Sequence, residues 1–354
     1  MKNWWEKRDP SGWIDLAGES IVRPQDLPAR LSADTLRRDA VAAVFPMKVN
    51  PYVLSLIQSA EDPIGLQFIP HPAELEDTGR SSDPLAEERQ SPAPQVIHRY
   101  PHRVVLLVSN QCAVHCRFCM RKRRMADPGQ VSHALIERGI AYIRGNASIT
   151  EVILSGGDPL MLGDDQLLSI LQDLRGIPQV RLLRMHTRVP AVCPRRITES
   201  LARRMSAFHP LYINIHFNHP LELTPAAMTA CHRLADAGIP LGSQTVLLKG
   251  INDDARVLCQ LMEKLLFNRI RPYYIHQVDR VPGTAHFQVP IQKSLQLMNG
   301  LRGKLSGLAM PHLMIDLPGG GGKVALTPEV VVARQKDHWL VRNWEGKIYT
   351  YPCG

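Results

Sequence analysis

The chain lacks any stretch approaching the roughly 18 consecutive apolar residues that a membrane span requires, and its opening run, MKNWWEKRDPSGW, holds no apolar core of signal-peptide length. Aromatic residues make up only 6% of it, which leaves few stacking platforms for single-stranded nucleic acid. An even, regularly spaced cysteine framework is missing too. There are seven cysteines, and Cys193, Cys231, Cys259 and Cys353 are scattered singly, which excludes a secreted disulfide scaffold. These absences leave a soluble protein of a reducing compartment, the cytoplasm, as the expectation. What is present in excess is positive charge, +9 over 354 residues, densest at Arg121 to Arg124 (RKRR). Such a block can serve nucleic acid, but it reads equally as a solvated face or as a partner for anionic small ligands.

The middle of the chain alternates short apolar runs with amphipathic stretches. Strands are expected at Arg103 to Ser109, Glu151 to Ser155, Val180 to His186, Leu211 to His216, Gly242 to Leu248 and Arg271 to Val278, with a helical pattern after each. Six strand–helix units at this rhythm predict parallel βαβ crossovers. Six is short of the eight of a closed TIM barrel, so the predicted fold is α/β, a partial (β/α)6 barrel with its site at the C-terminal strand ends. Three regions follow: a helical extension and connector over 1–97, the barrel over 98–323, and a C-terminal extension over 324–354. The connector, Asp77 to Pro94, is rich in proline and charge and has no hydrophobic period. The extension ends in a β-hairpin pattern, Trp339 to Arg342 and Lys347 to Tyr351, about Asn343 to Gly346.

Two motifs carry chemistry. Cys112, Cys116 and Cys119 lie at close, uneven spacing in QCAVHCRFCM. Three thiolates suit an iron–sulfur cube, which ordinarily has four cysteines; the missing fourth leaves one iron for a small molecule. The alternative is a set of buried structural thiols. The second motif is Pro318 to Lys323, PGGGGK. Four glycines permit positive φ and close backbone approach, and the adjoining lysine can be delivered into a site. No Ser or Thr follows it, so it is not a P-loop; an ordinary flexible turn is the competing reading.

The spacing Cx3CxxC resembles that of the radical S-adenosylmethionine (SAM) superfamily. The chain as a whole resembles its lysine 2,3-aminomutase family, on HRYPHRVVLLV before the triplet, SGGDPL (Ser155 to Leu160), NIHFNHP (Asn214 to Pro220), QTVLLKGIND (Gln244 to Asp253), RPYYIHQVD (Arg271 to Asp279) and IDLPGGGGK (Ile315 to Lys323). The resemblance implies a radical SAM barrel with a [4Fe–4S] cluster, SAM and pyridoxal 5′-phosphate (PLP), an isomerase that moves the α-amino group of L-lysine to Cβ, and a low-potential electron donor. It implies that Cys112, Cys116 and Cys119 hold the cluster. Lys323 would form the Schiff base with PLP, and Arg99, Tyr100 and Arg103 would help hold that cofactor. Ser155, Gly156, Gly157 and Asp158 would shape the SAM pocket, with His216 and Gln244 contacting SAM from later strands. Arg121 would clasp the substrate carboxylate with its planar fork, and Asp279 and Asp316 would receive the lysine ε-ammonium. Each also has a structural reading: surface charges for Arg99 and Arg103, a core histidine for His216, a strand polar residue for Gln244, a tight turn for SGGD, and a cap or loop acceptor for an aspartate at a strand end.

Two departures qualify the resemblance. Asp254 and the terminus Tyr351-Pro352-Cys353-Gly354 stand where longer members carry zinc cysteines, so no zinc site is expected. A homo-oligomer is expected, without a defined number of subunits. CAVHCRFC, SGGDPL and YYIHQVDRVPGTAHF resemble the branch that supplies β-lysine for modifying translation elongation factor P, whereas the PGGGGK region resembles the branch acting on free lysine. An RNA-modifying protein using the RKRR block is a third, remote alternative.

Overall fold

A computed structural model describes residues 13, 18–32, 34–77, 79–125, 131–327 and 329–352. After two short 3-10 turns (Pro24–Asp26 and Ala29–Leu31) come α1 (Thr35–Val44) and α2 (Pro51–Leu56), the latter begun by Asn50, whose side chain accepts from the Val53 N–H. A hairpin of β1 (Val96–Tyr100) and β2 (Arg103–Ser109) starts the main sheet. Then follow β3 (Glu151–Gly156), β4 (Leu182–Thr187), β5 (Leu211–His216), β6 (Leu241–Leu247), β7 (Ile270–Gln277) and β8 (His312–Leu317), all parallel to β2 and in sequence order across the sheet. The six expected strand–helix units are β2 to β7 with α3 (His133–Arg144), α4 (Asp164–Arg175), α5 (Glu199–Met205), α6 (Pro225–Asp236), α7 (Ala255–Phe267) and α8 (Ile291–Leu301). β8 adds a seventh parallel strand, and β9 (Gly322–Leu326) folds back antiparallel on it.

Four of the barrel helices begin where side-chain oxygens cap them. Ser132, Thr198 and Thr224 accept from the third N–H of α3, α5 and α6, and Asp254 accepts from Arg256 and Val257 at the start of α7. A cap of this kind is worth about 1 kcal/mol. Asp254, at the position where the resemblance implied a zinc cysteine in longer members, therefore has a structural task as a helix cap. Along α7 the apolar residues Leu258, Leu261, Met262 and Leu265 recur at helical spacing and are buried, each burial contributing roughly 1.5–3 kcal/mol. That face holds the helix on the sheet and leaves the strand ends free for chemistry.

The two edges of the main sheet meet through a side chain. Tyr100, at the end of β1, accepts at its hydroxyl from the Lys323 N–H of β9 at 2.9 Å. Beyond it, β10 (Val331–Arg334), β11 (His338–Arg342) and β12 (Ile348–Pro352) form a separate antiparallel sheet, so the expected terminal hairpin gains a third strand. Its turn packs Trp344 onto Gly303, where a Cβ would stand only 2.3 Å from the indole. Among the described residues no helix is long and apolar enough to cross a membrane. Cys353 lies outside the described residues.

Candidate active site

All seven parallel strands, β2 to β8, bring residues to one mouth at their C-terminal side, and the cysteine loop leaves β2 directly into it. The loop is held from two sides. Gly157 donates to Ser109 O at 2.6 Å and Asp158 donates to Gln111 O at 2.7 Å. A Cβ at Gly156, whose φ is +133°, would lie 2.1 Å from Ser109 O, and one at Gly157 would lie 2.4 Å from Gln111 O. The SGGD glycines are thus required for the β3 turn to lie against the backbone that leads to Cys112. Burial pushes the Cys119 thiol up to about 11, with Cys116 adding to it, and drives Cys112 upward as well. Thiols so reluctant to ionise become ligands only when a metal takes their charge. No trio of His, Cys, Asp or Glu among the described residues stands at single-ion spacing, and cysteines on separate corners of a cluster would not.

The opposite wall is built by β7, β8 and β9. Register pairs Asp316 with Lys323, and their side chains meet, Nζ to Oδ2, at 2.5 Å. His276, on β7, stands 3.6 Å from the same oxygen through Nδ1. Burial works to raise the Asp316 carboxyl, but His276 and Lys323 prevail and hold it down to about 2. Asp279 has the reverse balance. It keeps some solvent contact through the mouth, yet the packed protein around it, then the neighbouring Asp316 charge, raise it to about 7 against Lys323 and Arg121. Around this pair His186, His216 and His276 are all pushed down by burial, His216 to about 3, so the mouth is lined by neutral imidazoles. His216 lies opposite Gln244 in register and hydrogen-bonds its side chain.

The glycines of PGGGGK make the β8–β9 turn, with positive φ at Gly319, Gly320 and Gly322. They border a cavity of about 420 Å³ whose other walls are Ala86, Arg89, Gln90, Arg99 and Tyr100. Arg99 Nη2 is buried there and has no hydrogen-bond partner among the described residues. A guanidinium donor left open beside a glycine backbone suits a phosphate. Arg103 instead lies over the Tyr100 ring at 4.0 Å and is largely exposed.

The RKRR block meets the charged connector. Arg121 Nη2 pairs with Glu87 Oε1 at 2.6 Å, while its Nη1 donates to Ser155 Oγ at 3.3 Å. Lys122 pairs with Glu74 at 3.1 Å, and Arg123 with Asp83 at 3.0 Å and Glu87 at 3.1 Å. Glu74 also receives Arg117, from between Cys116 and Cys119, at 2.8 and 2.9 Å. Three of the four basic residues are therefore already neutralised inside the protein, which removes the basis of the RNA alternative. Connector and basic run, both conspicuous for their charge in the sequence, are one another's partners.

The structure gathers Cys112, Cys116, Cys119, Ser155, His216, Gln244, Arg121, Asp279, Asp316 and Lys323 about the mouth. Asp158 stands apart in its use: its carboxylate accepts from the Leu160 and Arg188 N–H groups and from Thr187 Oγ1. Sequence reasoning missed Glu87, Arg188 and His276. The first two have no motif of their own, but His276 lies inside RPYYIHQVD, two residues after Tyr274 on the same strand and three before Asp279, and strand alternation could have pointed to it.

A family model described as Lysine-2,3-aminomutase matches residues 298–353, and one for the Radical SAM superfamily matches residues 106–262. The chain is 44% identical over 310 residues to an L-lysine 2,3-aminomutase of Fusobacterium nucleatum, covering 86% of this chain and 73% of that one. It is also 44% identical to that of Clostridium subterminale over 86% of this chain and 74% of the relative. The glutamate 2,3-aminomutase of Clostridioides difficile is 43% identical, over 87% and 74%. The cysteine loop, the lysine-bearing glycine turn and these relatives agree: the chain belongs to the lysine 2,3-aminomutase family of the radical SAM superfamily.

Proposed function

We propose that this protein interconverts L-lysine and β-lysine, using a [4Fe–4S] cluster, SAM and PLP. Overall identity does not separate lysine from glutamate relatives, since both stand near 43–44%. The observation that carries the reading is the Asp279–Asp316 pair, in which Asp316 already binds an ammonium, that of Lys323, at 2.5 Å. A unit charge pair at 4 Å is worth about 4 kcal/mol at an effective dielectric of 20, before desolvation. Placing a glutamate carboxylate there would reverse that sign.

When bound, the cluster and SAM supply a carbon radical and PLP carries the migrating amino group. The residues of this chain bind and orient. Cys112, Cys116 and Cys119 would hold the cluster, leaving one iron for SAM, and His216, Gln244 and Ser155 border the space beside it. Lys323 would give its amine to PLP and so release Asp316 to the substrate. Arg99, Tyr100 and the glycine backbone at 319–322 would cradle the phosphate, with Arg103 braced on Tyr100. Arg121 faces the substrate carboxylate, which competes with Glu87 for the guanidinium. The neutral imidazoles and the packed mouth exclude water and stray hydrogen donors.

The test is product analysis. Anaerobically reconstituted protein with PLP, SAM, dithionite and free L-lysine should yield β-lysine by mass spectrometry. Inert lysine where SAM is cleaved with another amino acid would overturn the substrate. The segments resembling the elongation factor P branch favour β-lysine as a precursor for protein modification. Both roles need a free α-amine, so a lysine within a polypeptide should remain unchanged. A deletion strain decides between them: either the free metabolite or the modified factor disappears.

A further inference from the structure

Outside the lysine-facing wall, one buried cation points at the cluster loop. Arg188 follows β4, and its Nη1 lies 2.8 Å from Cys116 Sγ. Its Nη2 donates to Gln67 Oε1 at 2.5 Å and to Glu222 Oε1 at 2.6 Å. Glu222 Oε2 accepts from the Asn218 and His219 N–H groups, and Asn218 Nδ2 donates to Gln67 Oε1 at 3.0 Å. The guanidinium lies over Phe68 at 4.7 Å and Phe118 at 5.2 Å, and its backbone N–H is tied to Asp158. Arg188 is 7% exposed and Glu222 is 2% exposed. Both terminal nitrogens of this guanidinium are held, Nη1 on the sulfur and Nη2 on Gln67 and Glu222, while Nε is buried without a hydrogen-bond partner among the described residues.

We propose that Arg188 tunes the reduction potential of the cluster through its hydrogen bond to the Cys116 sulfur, with Glu222 as the counter-charge that limits the effect. Hydrogen bonds to sulfur and nearby net charge set cluster potentials. One electron from an external reductant takes the cluster from 2+ to 1+, adding negative charge that Arg188 stabilises and Glu222 opposes. The two residues therefore act in opposite directions, which a purely structural ion pair would not do. Arg188 acts through the cysteine and not on the lysine substrate.

The inference rests on the cluster assignment, which iron and sulfide content tests separately. Wild type, Arg188→Met and Glu222→Gln, reconstituted anaerobically without SAM, are titrated with dithionite and followed by electron paramagnetic resonance. Arg188→Met should make the midpoint more negative, lowering the reduced-to-oxidised ratio at a fixed poise about tenfold, or ~59 mV for one electron. Glu222→Gln should move it the other way; it keeps the side chain's size and one accepting oxygen, while its NH2 gives up the other accepted bonds. Unmoved midpoints, or shifts of the same sign at full iron content, would overturn the proposal. So would an unmoved midpoint in Arg188→Met accompanied by weaker SAM binding, which would assign the guanidinium to SAM. Should Arg188→Met fail to take up cluster, Glu222→Gln decides alone: no positive shift refutes the role.

Discussion

Glu74 and Asp279 are two carboxylates packed within one protein, and burial has opposite outcomes for them. Glu74 lies in the N-terminal wrap, where Arg117 and Lys122 outweigh its desolvation and hold it below the usual carboxylate range. Asp279 lies in the barrel mouth, where its neighbour is another carboxylate, and it rises to about 7. Glu87 behaves as Glu74 does, through Arg121 and Arg123. The wrap is a compensated network, and compensated buried charge holds shape. The mouth has two carboxylates for one ammonium, and that incomplete compensation is what a cationic ligand can complete.

The comparison breaks most completely at Lys323, the one ammonium in the mouth. Lys323→Ala should reduce lysine turnover to background and abolish pyridoxyl labelling after borohydride reduction, while iron content stays at the wild-type level. Label recovered on another lysine would refute the assignment.

In the wrap, Glu74→Ala leaves Arg117 and Lys122 buried without their carboxylate. Breaking such a buried pair costs about 3–5 kcal/mol, so the urea midpoint should fall sharply. Because Arg117 lies between Cys116 and Cys119, retained cluster should fall too. A midpoint within experimental error of wild type would show that the network is not what holds the loop.

The mouth should respond in affinity instead of stability. Asp316→Asn removes one partner of a buried charge pair, a loss of about 2–5 kcal/mol, which corresponds to ~30-fold or more in kcat/KM for lysine. Asp279→Asn should behave similarly but more weakly, since Asp279 is only partly ionised at neutral pH. Unchanged lysine kinetics in both variants would contradict the substrate reading.

The smallest effect sharpens the contrast through pH. A bound ε-ammonium favours ionised Asp279, so below about pH 7 binding must release a proton from it. The KM for lysine should rise as pH falls from 7 to 6, by up to about tenfold per unit, and that rise should flatten in Asp279→Asn. Asp316, which His276 holds low together with whichever ammonium faces it, Lys323 or the substrate's, contributes no such slope in this window.

Hydrophobic period alone predicted the six β/α units, because each strand and each helix face is a local pattern. β8 was read only as the run before PGGGGK, since short apolar runs do not reveal which sheet they join. The cysteine triplet and Lys323 stood out as motifs for a similar reason: three closely spaced thiols and a lysine behind a glycine run are encoded within a few residues. Asp279 and Asp316 were legible as motif members, but their unequal acidity was not. That depends on His276 and Lys323 converging on one oxygen, an arrangement of three strands.

The sequence by itself determined the repeat that builds the barrel, the position of three close thiols and a glycine-flanked lysine, and two acids that each follow an apolar run. Only the tertiary structure decided which charges cancel. It joined Arg121 to Glu87, Arg117 to Glu74, and Arg188 to both Cys116 and Glu222. These partners lie 34, 43, 72 and 34 positions apart, beyond the reach of any helical or strand period. In a low-dielectric interior a charge takes its meaning from its nearest opposite charge, and that neighbour is set by packing.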